Sequence, residues 1–332
     1  MSATVKLKNP PIIITTAAIG GKNEGAGPIG TFFDEILKDD RWDAKSWEQA
    51  ESKLQRGTAL KALQKANLKT TDIDYLFAGD LMNQCVATHY GVRDLQIPFF
   101  GLYGACSTFA ESLSLGAMTI SAGYAKKVMC LTSCHFCSAE RQFRNPLEYG
   151  GQRPPSAQWT VTGSGCGILA DSGTGPRITH VTTGKIVDKG ICDANNMGAA
   201  MAPAALDTLV NHFNDTGFTP SDYDLILTGD LGIIGSEILC EMSKNAGFNI
   251  DRVHDDCGKI IYDIKGQDKH SGGSGCGCCA TVFSAYIMKK LQNKELKRIF
   301  LMATGALMNT SMLQQGESIP GIAHGITIES GE

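Results

Sequence analysis

Charge of one sign, long apolar runs and clustered aromatics are all scarce in this chain. Lysine and arginine number 30 against 34 aspartates and glutamates, a net charge of -4, and the pI is about 6.0. Nothing in that balance asks for a nucleic-acid partner. The run Ile12 to Ile19 is too short and too threonine-rich to span a membrane, and Met1 to Pro11 carries Lys6 and Lys8 but no apolar signal core. A soluble intracellular protein is therefore expected. The three tryptophans, Trp42, Trp47 and Trp159, stand far apart and are read as packing residues rather than a stacking platform. Gly20 to Pro28 is glycine-rich, but its lysine precedes the turn and no Gly-Lys-Ser/Thr follows, so it is read as a flexible loop and not a phosphate cradle. Twelve cysteines in 332 residues are too sparse for a disulfide scaffold and fit a reducing compartment. Cys134 and Cys137 have CxxC spacing, and Cys276, Cys278 and Cys279 flank a glycine turn. Neither set has the paired spacing of a structural zinc site, so no metal and no cofactor is implied.

What is present is a repeat. Thr71-Asp72-Ile73-Asp74-Tyr75-Leu76-Phe77-Ala78-Gly79-Asp80-Leu81 recurs as Ser221-Asp222-Tyr223-Asp224-Leu225-Ile226-Leu227-Thr228-Gly229-Asp230-Leu231. Each copy reads as a turn, a buried strand and a Gly-Asp at the strand's C-terminal end, with a helical pattern before it. Lys126 to Ser133 is echoed by Lys297 to Thr304. Strand candidates Ile12 to Ala18 and Ile178 to Thr183 open the two halves, and Gly165 to Asp171 and Gly325 to Glu329 close them. Apolar strands alternating with helices predict parallel or mixed sheets covered on both faces. Two such halves bring their strand ends around one cleft, where α/β sheets bind ligands. Phe32, Phe33, Ile36 and Leu37 are read as the apolar face of a short surface helix.

Gly104-Ala105-Cys106-Ser107-Thr108 is the chemically most pointed segment. An extended apolar approach leads into it and a helical pattern follows, which places Cys106 near a helix N-terminus. Unpaired N–H groups and the helix dipole there favour a thiolate. Ser271 to Cys278 is the equivalent turn of the second half.

That turn, Ser138 to Gln152, Thr160 to Gly165, and Asp255 to Gly258 with His270 to Cys278 span nearly the whole chain. In these four segments the chain resembles the thiolase-like condensing enzymes, and most specifically the stage V sporulation protein AD family of spore-forming bacteria. The resemblance implies a thiolase-like α/β fold with duplicated halves, whose mixed sheets pack back to back and are covered by helices. Residues 1–175 would form the half carrying Cys106, and 176–332 the half carrying His270 and the glycine-rich loop.

For activity, the resemblance implies Cys106 as an acyl-accepting nucleophile, with backbone N–H groups at Cys106 and around Gly305-Ala306 as an oxyanion hole. Condensing enzymes place a histidine just beyond the strand that here ends Leu227-Thr228-Gly229-Asp230, so Asp230 stands where a base is expected. His270 remains as the candidate acid-base partner. A carboxyl at that place donates a proton only if its pKa is raised.

The family binds dipicolinic acid and belongs to machinery that moves it, with calcium, into the developing spore. The resemblance thus implies a non-catalytic receptor, peripheral at the forespore or spore inner membrane, working with membrane-embedded subunits and forming a homodimer. For a flat pyridine with two carboxylates, Arg141 and Arg144, three residues apart, and Arg153 and Lys269 are the candidate cations. Asp80 and Asp230 either touch calcium or cap the segments that follow them. An acyltransferase using Cys106 and a scaffold with a vestigial pocket are the alternatives.

Overall fold

The computed structural model describes residues 2–143 and 153–331; Arg144 lies outside the described residues. The first half runs β1 (Thr4–Lys6), β2 (Ile12–Gly20), α1 (Lys22–Gly25), β3 (Glu35–Ile36), α2 (Trp47–Ala66), β4 (Tyr75–Gly79), α3 (Val86–Val92), β5 (Phe99–Leu102), α4 (Thr108–Ser121), β6 (Lys127–Cys134), α5 (Phe136–Phe143), β7 (Trp159–Thr160) and β8 (Gly163–Ala170). The second runs β9 (Arg177–Thr182), α6 (Met197–Thr216), β10 (Leu225–Thr228), α7 (Gly232–Asn245), β11 (His254–Asp256), α8 (Cys257–Ile260), β12 (Gly273–Ser274), α9 (Cys276–Val282), β13 (Arg298–Ala306) and β14 (Gly321–Glu329).

Strand order shows the duplication directly. The first half is ordered β5-β4-β6-β8-β2 and the second β11-β10-β13-β14-β9, joined where β2 meets β9. In each, the strand of the repeat is parallel to both neighbours, and the closing strand, β8 or β14, is antiparallel to both of its own. The repeated aspartates have repeated duties. Asp74 Oδ2 accepts the Lys126 and Lys127 N–H groups at 2.7 and 2.9 Å. Asp224 Oδ2 accepts those of Lys297 and Arg298 at 2.6 and 2.9 Å. Asp72 and Asp222 each accept the N–H three residues earlier, closing the turn before the strand. The preceding helices, α2 and α6, both end on a left-handed residue, Asn67 and Gly217.

The sheets share one core. Helix α4 packs on β4 and β6 and also on β13 and β14, while α9 packs on β6, β8 and α4. Phe109 and Leu113 of α4 are fully buried in the same cluster as Leu301 and Ile326 of the second half. A helix layer therefore lies between the sheets. Close approach of that layer requires glycine: a Cβ on Gly165 of β8 would lie 2.3 Å from the Ala280 backbone of α9.

Two local readings are corrected. The glycine-rich stretch after β2 is not simply a loop: it forms α1 and carries the buried Glu24. Residues 30–37 form a 3-10 turn, Gly30–Phe32, and the short strand β3 rather than a surface helix, because Glu35 and Ile36 pair with the end of β2. Among the described residues no helix is long and apolar enough to cross a membrane.

Candidate functional site

Cys106 sits in a 3-10 turn, Ala105–Ser107, that leads into α4. Ala105, the residue before it, has φ of +50°, a conformation that side-chain-bearing residues adopt at a cost of order 1 kcal/mol. The turn is held by Ser107 and Thr108, whose hydroxyls donate to Gly104 O at 2.7 Å and Ala105 O at 2.6 Å. A small cavity of about 50 Å³ opens above the sulfur and widens toward solvent. Leu81, Tyr103, Phe143, Met197 and Met308 wall it, and the Thr160 and Ser274 hydroxyl-bearing side chains line it beside Cys106. It is a narrow apolar slot with polar atoms at its floor.

Asp230 sits directly behind that floor. Its Oδ2 accepts from the Gly275 N–H at 2.9 Å and the Ser274 hydroxyl at 3.1 Å, and its Oδ1 from the Thr304 hydroxyl at 2.9 Å. Cys106 Sγ lies 4.0 Å from Ser274 Oγ, which links it to the Asp230 carboxyl. Burial pushes the thiol well above its usual range, and the nearby Asp230 carboxylate, as a negative charge, pushes it further. This corrects the expectation of a thiolate: desolvation and an adjacent carboxyl outweigh the helix N-terminus. Burial also raises Asp230 above the ordinary carboxylate range, against the pull of its Gly275, Thr304 and Ser274 donors.

The other predicted site residues separate. Asp80, at the position matching Asp230 in the repeat, turns back onto its own loop, accepting from Met82 N–H at 2.8 Å, Thr88 N–H at 2.8 Å and the Thr88 hydroxyl at 2.6 Å. With both oxygens so engaged it caps, and it does not face the cavity. In the second half that duty falls to Asp256, which takes Thr228, Leu231, Gly232 and Gly258 as donors. His270 does not line the cavity; its Nδ1 faces Pro154 O at 2.9 Å and its Nε2 faces Asp268 at 3.2 Å. Arg141 is half exposed and pairs with Glu48 at 3.5 Å. Lys269 is buried, its ammonium 3.4 Å from the Trp159 ring centre. Among the described residues no cation lines the cavity. Ser274 and Thr160 enter the sequence reading only as parts of motifs; the signal for Ser274 is its place in the turn equivalent to that of Cys106. Among the described residues no group of three or more His, Cys, Asp or Glu side chains is arranged to hold a metal.

Two similar sheets around a buried helix pair, with a cysteine at the head of the first helix, define a thiolase-like α/β protein. The fold resembles 3-oxoacyl-[acyl-carrier-protein] synthase III from Aquifex aeolicus VF5 at a TM-score of 0.58, with 11% identity and 96% of this chain and 99% of that one covered. It also resembles a single-substitution form of Xanthomonas campestris OleA at 0.61, with 16% identity and 98% and 99% covered. The chain belongs to the Stage V sporulation protein AD family, whose model it matches over residues 1–329. It is 46% identical over 320 residues to Stage V sporulation protein AD of Bacillus subtilis (strain 168), covering 96% of this chain and 94% of that protein.

Proposed function

We propose that this sporulation-family protein is a binding subunit, not a condensing enzyme, and that it takes dipicolinic acid into the cavity above Cys106. The observation that carries the reading is the seating of Cys106, buried with its sulfur 4.0 Å from the Ser274 hydroxyl that itself donates to the Asp230 carboxyl. A condensing nucleophile needs a partner that favours the thiolate, and burial beside a negative carboxylate does the reverse. What remains is a slot with apolar walls for a flat ring and, at its floor, the Thr160 and Ser274 hydroxyl oxygens, whose protons go to Glu140 and Asp230 and whose lone pairs suit a cation. Because no cation lines that slot among the described residues, the ligand's two carboxylates are best accommodated with calcium bound to them, a hard cation suited to oxygen ligands. The protein then acts at the face of the spore inner membrane, handing its ligand to membrane-embedded subunits.

Isothermal titration is expected to show saturable dipicolinate binding, tighter with calcium than in chelator. Met308→Glu, which puts bulk and negative charge in the slot, should weaken it at least about tenfold. Absence of saturation in the wild-type protein overturns the reading. The acyltransferase alternative is favoured by the placing of Cys106 on the cavity, and it requires acyl mass on Cys106 after exposure to acyl thioesters; an unmodified intact mass is expected.

We also propose a homodimer formed through β5. That strand ends the sheet with one open edge, and Phe100 on it is 53% exposed while stacked on Phe77 at 5.3 Å. An open apolar edge is a pairing template. Light scattering is expected to give a dimer mass, and Phe100→Lys a monomer with unchanged circular dichroism.

A further inference from the structure

A second polar cluster stands behind the ribbon that carries Thr160 and Ser274. Strands β7 and β12 pair so that Trp159 lies opposite Gly273 and Thr160 opposite Ser274. Gly272 ties the ribbon to the next turn: its carbonyl accepts the Trp159 N–H and its N–H donates to the Lys269 carbonyl, both at 2.8 Å. The Lys269 ammonium lies 3.4 Å from the Trp159 ring centre and 5.1 Å from that of Tyr262. Phe136 stacks on the same indole at 4.0 Å, and the Arg153 guanidinium stands 4.5 Å from it. Lys269 is only 4% exposed and makes no ion pair among the described residues.

Its natural counter-charge is one side chain away. The Tyr262 hydroxyl donates to Glu24 Oε1, which also accepts the Thr162 N–H at 3.0 Å. Glu24 Oε2 is buried and has no partner among the described residues. A buried ammonium resting on two aromatic rings and a buried carboxyl with an idle oxygen, bridged by one tyrosine, are an arrangement whose charge is free to change.

We infer that Lys269 and Glu24 form a proton-responsive clamp on the β7–β12 ribbon, and that their joint charge sets how tightly an anion is held above Cys106. The second clause rests on the ligand reading proposed above; the first does not. The groups facing the pair are Arg153 from the segment before β7, Asp268 from the turn of Lys269, Asp40, which faces Glu24, Tyr262 between them, and the Cys134 and Cys278 thiols of β6 and α9. Burial lowers Lys269 to about 8, with Arg153 adding to the fall and Glu24 and Asp268 opposing it. Burial raises Glu24 to about 7 despite its hydrogen bonds from Tyr262 and Thr162. Glu24 therefore loses its proton first as pH rises, and Lys269 second. The pair passes from one net positive charge, through neutrality, to one net negative charge, all within about pH 6 to 9. An anion in the adjoining cavity is held best at the acid end of that range.

The test uses the full chain with Trp42→Phe and Trp47→Phe, so that Trp159 is the only indole. Its emission is expected to titrate with an inflection near pH 8. Lys269→Met should abolish that inflection, and Glu24→Gln should move it to lower pH, since Glu24 supports the ammonium. Dipicolinate affinity in calcium-free buffer should fall about fivefold or more from pH 6.5 to 9, as expected for reversing a buried charge near an anion, and Lys269→Met should flatten the upper part of that fall. Flat Trp159 emission in folded protein, or an inflection unmoved by Glu24→Gln, overturns the clamp. Measurable affinity that ignores pH overturns its coupling to the ligand. No dipicolinate binding at any pH, with the Trp159 titration intact, sinks the ligand reading and upholds the clamp.

Discussion

Asp230→Asn is expected to make Cys106 alkylate faster by at least about tenfold at pH 8. Burial raises the thiol pKa most, and the nearby Asp230 carboxylate raises it further as a charge. One unit of pKa corresponds to a tenfold change in the thiolate fraction, and the thiolate is the reacting species. Asparagine keeps the shape and, with its carbonyl oxygen in the Oδ2 place, the Gly275 and Ser274 donors, while its amide faces the Thr304 hydroxyl, which can accept in turn, so a stability loss of about 2 kcal/mol is expected rather than unfolding. The measurement is mass-resolved iodoacetamide labelling of Cys106 against pH, with Cys106→Ser as the blank. Equal labelling rates in wild type and Asp230→Asn would show that burial alone sets the thiol. The direction with pH follows from the sign of the shift: the wild-type thiol, with its pKa raised, stays protonated through neutral pH and gains reactivity only in alkali.

Gly165→Val is expected to destroy the fold. Its Cβ would lie 2.3 Å from both the carbonyl carbon and oxygen of Ala280 and 2.7 Å from the Ala280 Cβ, and backbone cannot rotate out of the way as a side chain can. Relief requires α9 to lift from β8, which uncovers Cys278, Ala280 and Val282, all fully buried. The cost is on the order of 3 kcal/mol or more, at the upper end for overpacking. Soluble yield should collapse, and any recovered protein should show a much lower urea midpoint. Gly123→Ala, where a Cβ meets nothing within 4 Å but φ is +81°, is the matched control with a loss of only about 1 kcal/mol. A soluble Gly165→Val protein with an unchanged midpoint would refute this account of helix packing.

The fold was legible because the sequence repeats its punctuation. Asp72 with Asp222 and Asp74 with Asp224 recur since each pair closes the same turn and caps the same strand entry. The chemistry was less legible for the same reason. Asp80 and Asp230 look equivalent in the repeat, yet one is consumed by its own loop and the other reaches Ser274 and Thr304 behind the cavity floor. What separates them is which donors the far strand presents, a tertiary property that a local segment does not encode. A helix start is visible in the local sequence around Cys106, but the burial and the acid that hold its thiol protonated are supplied by distant segments. Glu24 escaped notice because a glutamate among glycines reads as solvent-facing until Tyr262, far along the chain, is seen to cover it.

The interleaving of α4 with β13 and β14 has a consequence for synthesis. As the chain emerges, the inner helix of the first half has no lid on one flank until the last strand has left the ribosome. Phe109 and Leu113 wait for Leu301 and Ile326. A nascent chain halted near the midpoint is thus a sticky, half-covered species, and the two lobes gain their stability together rather than in turn.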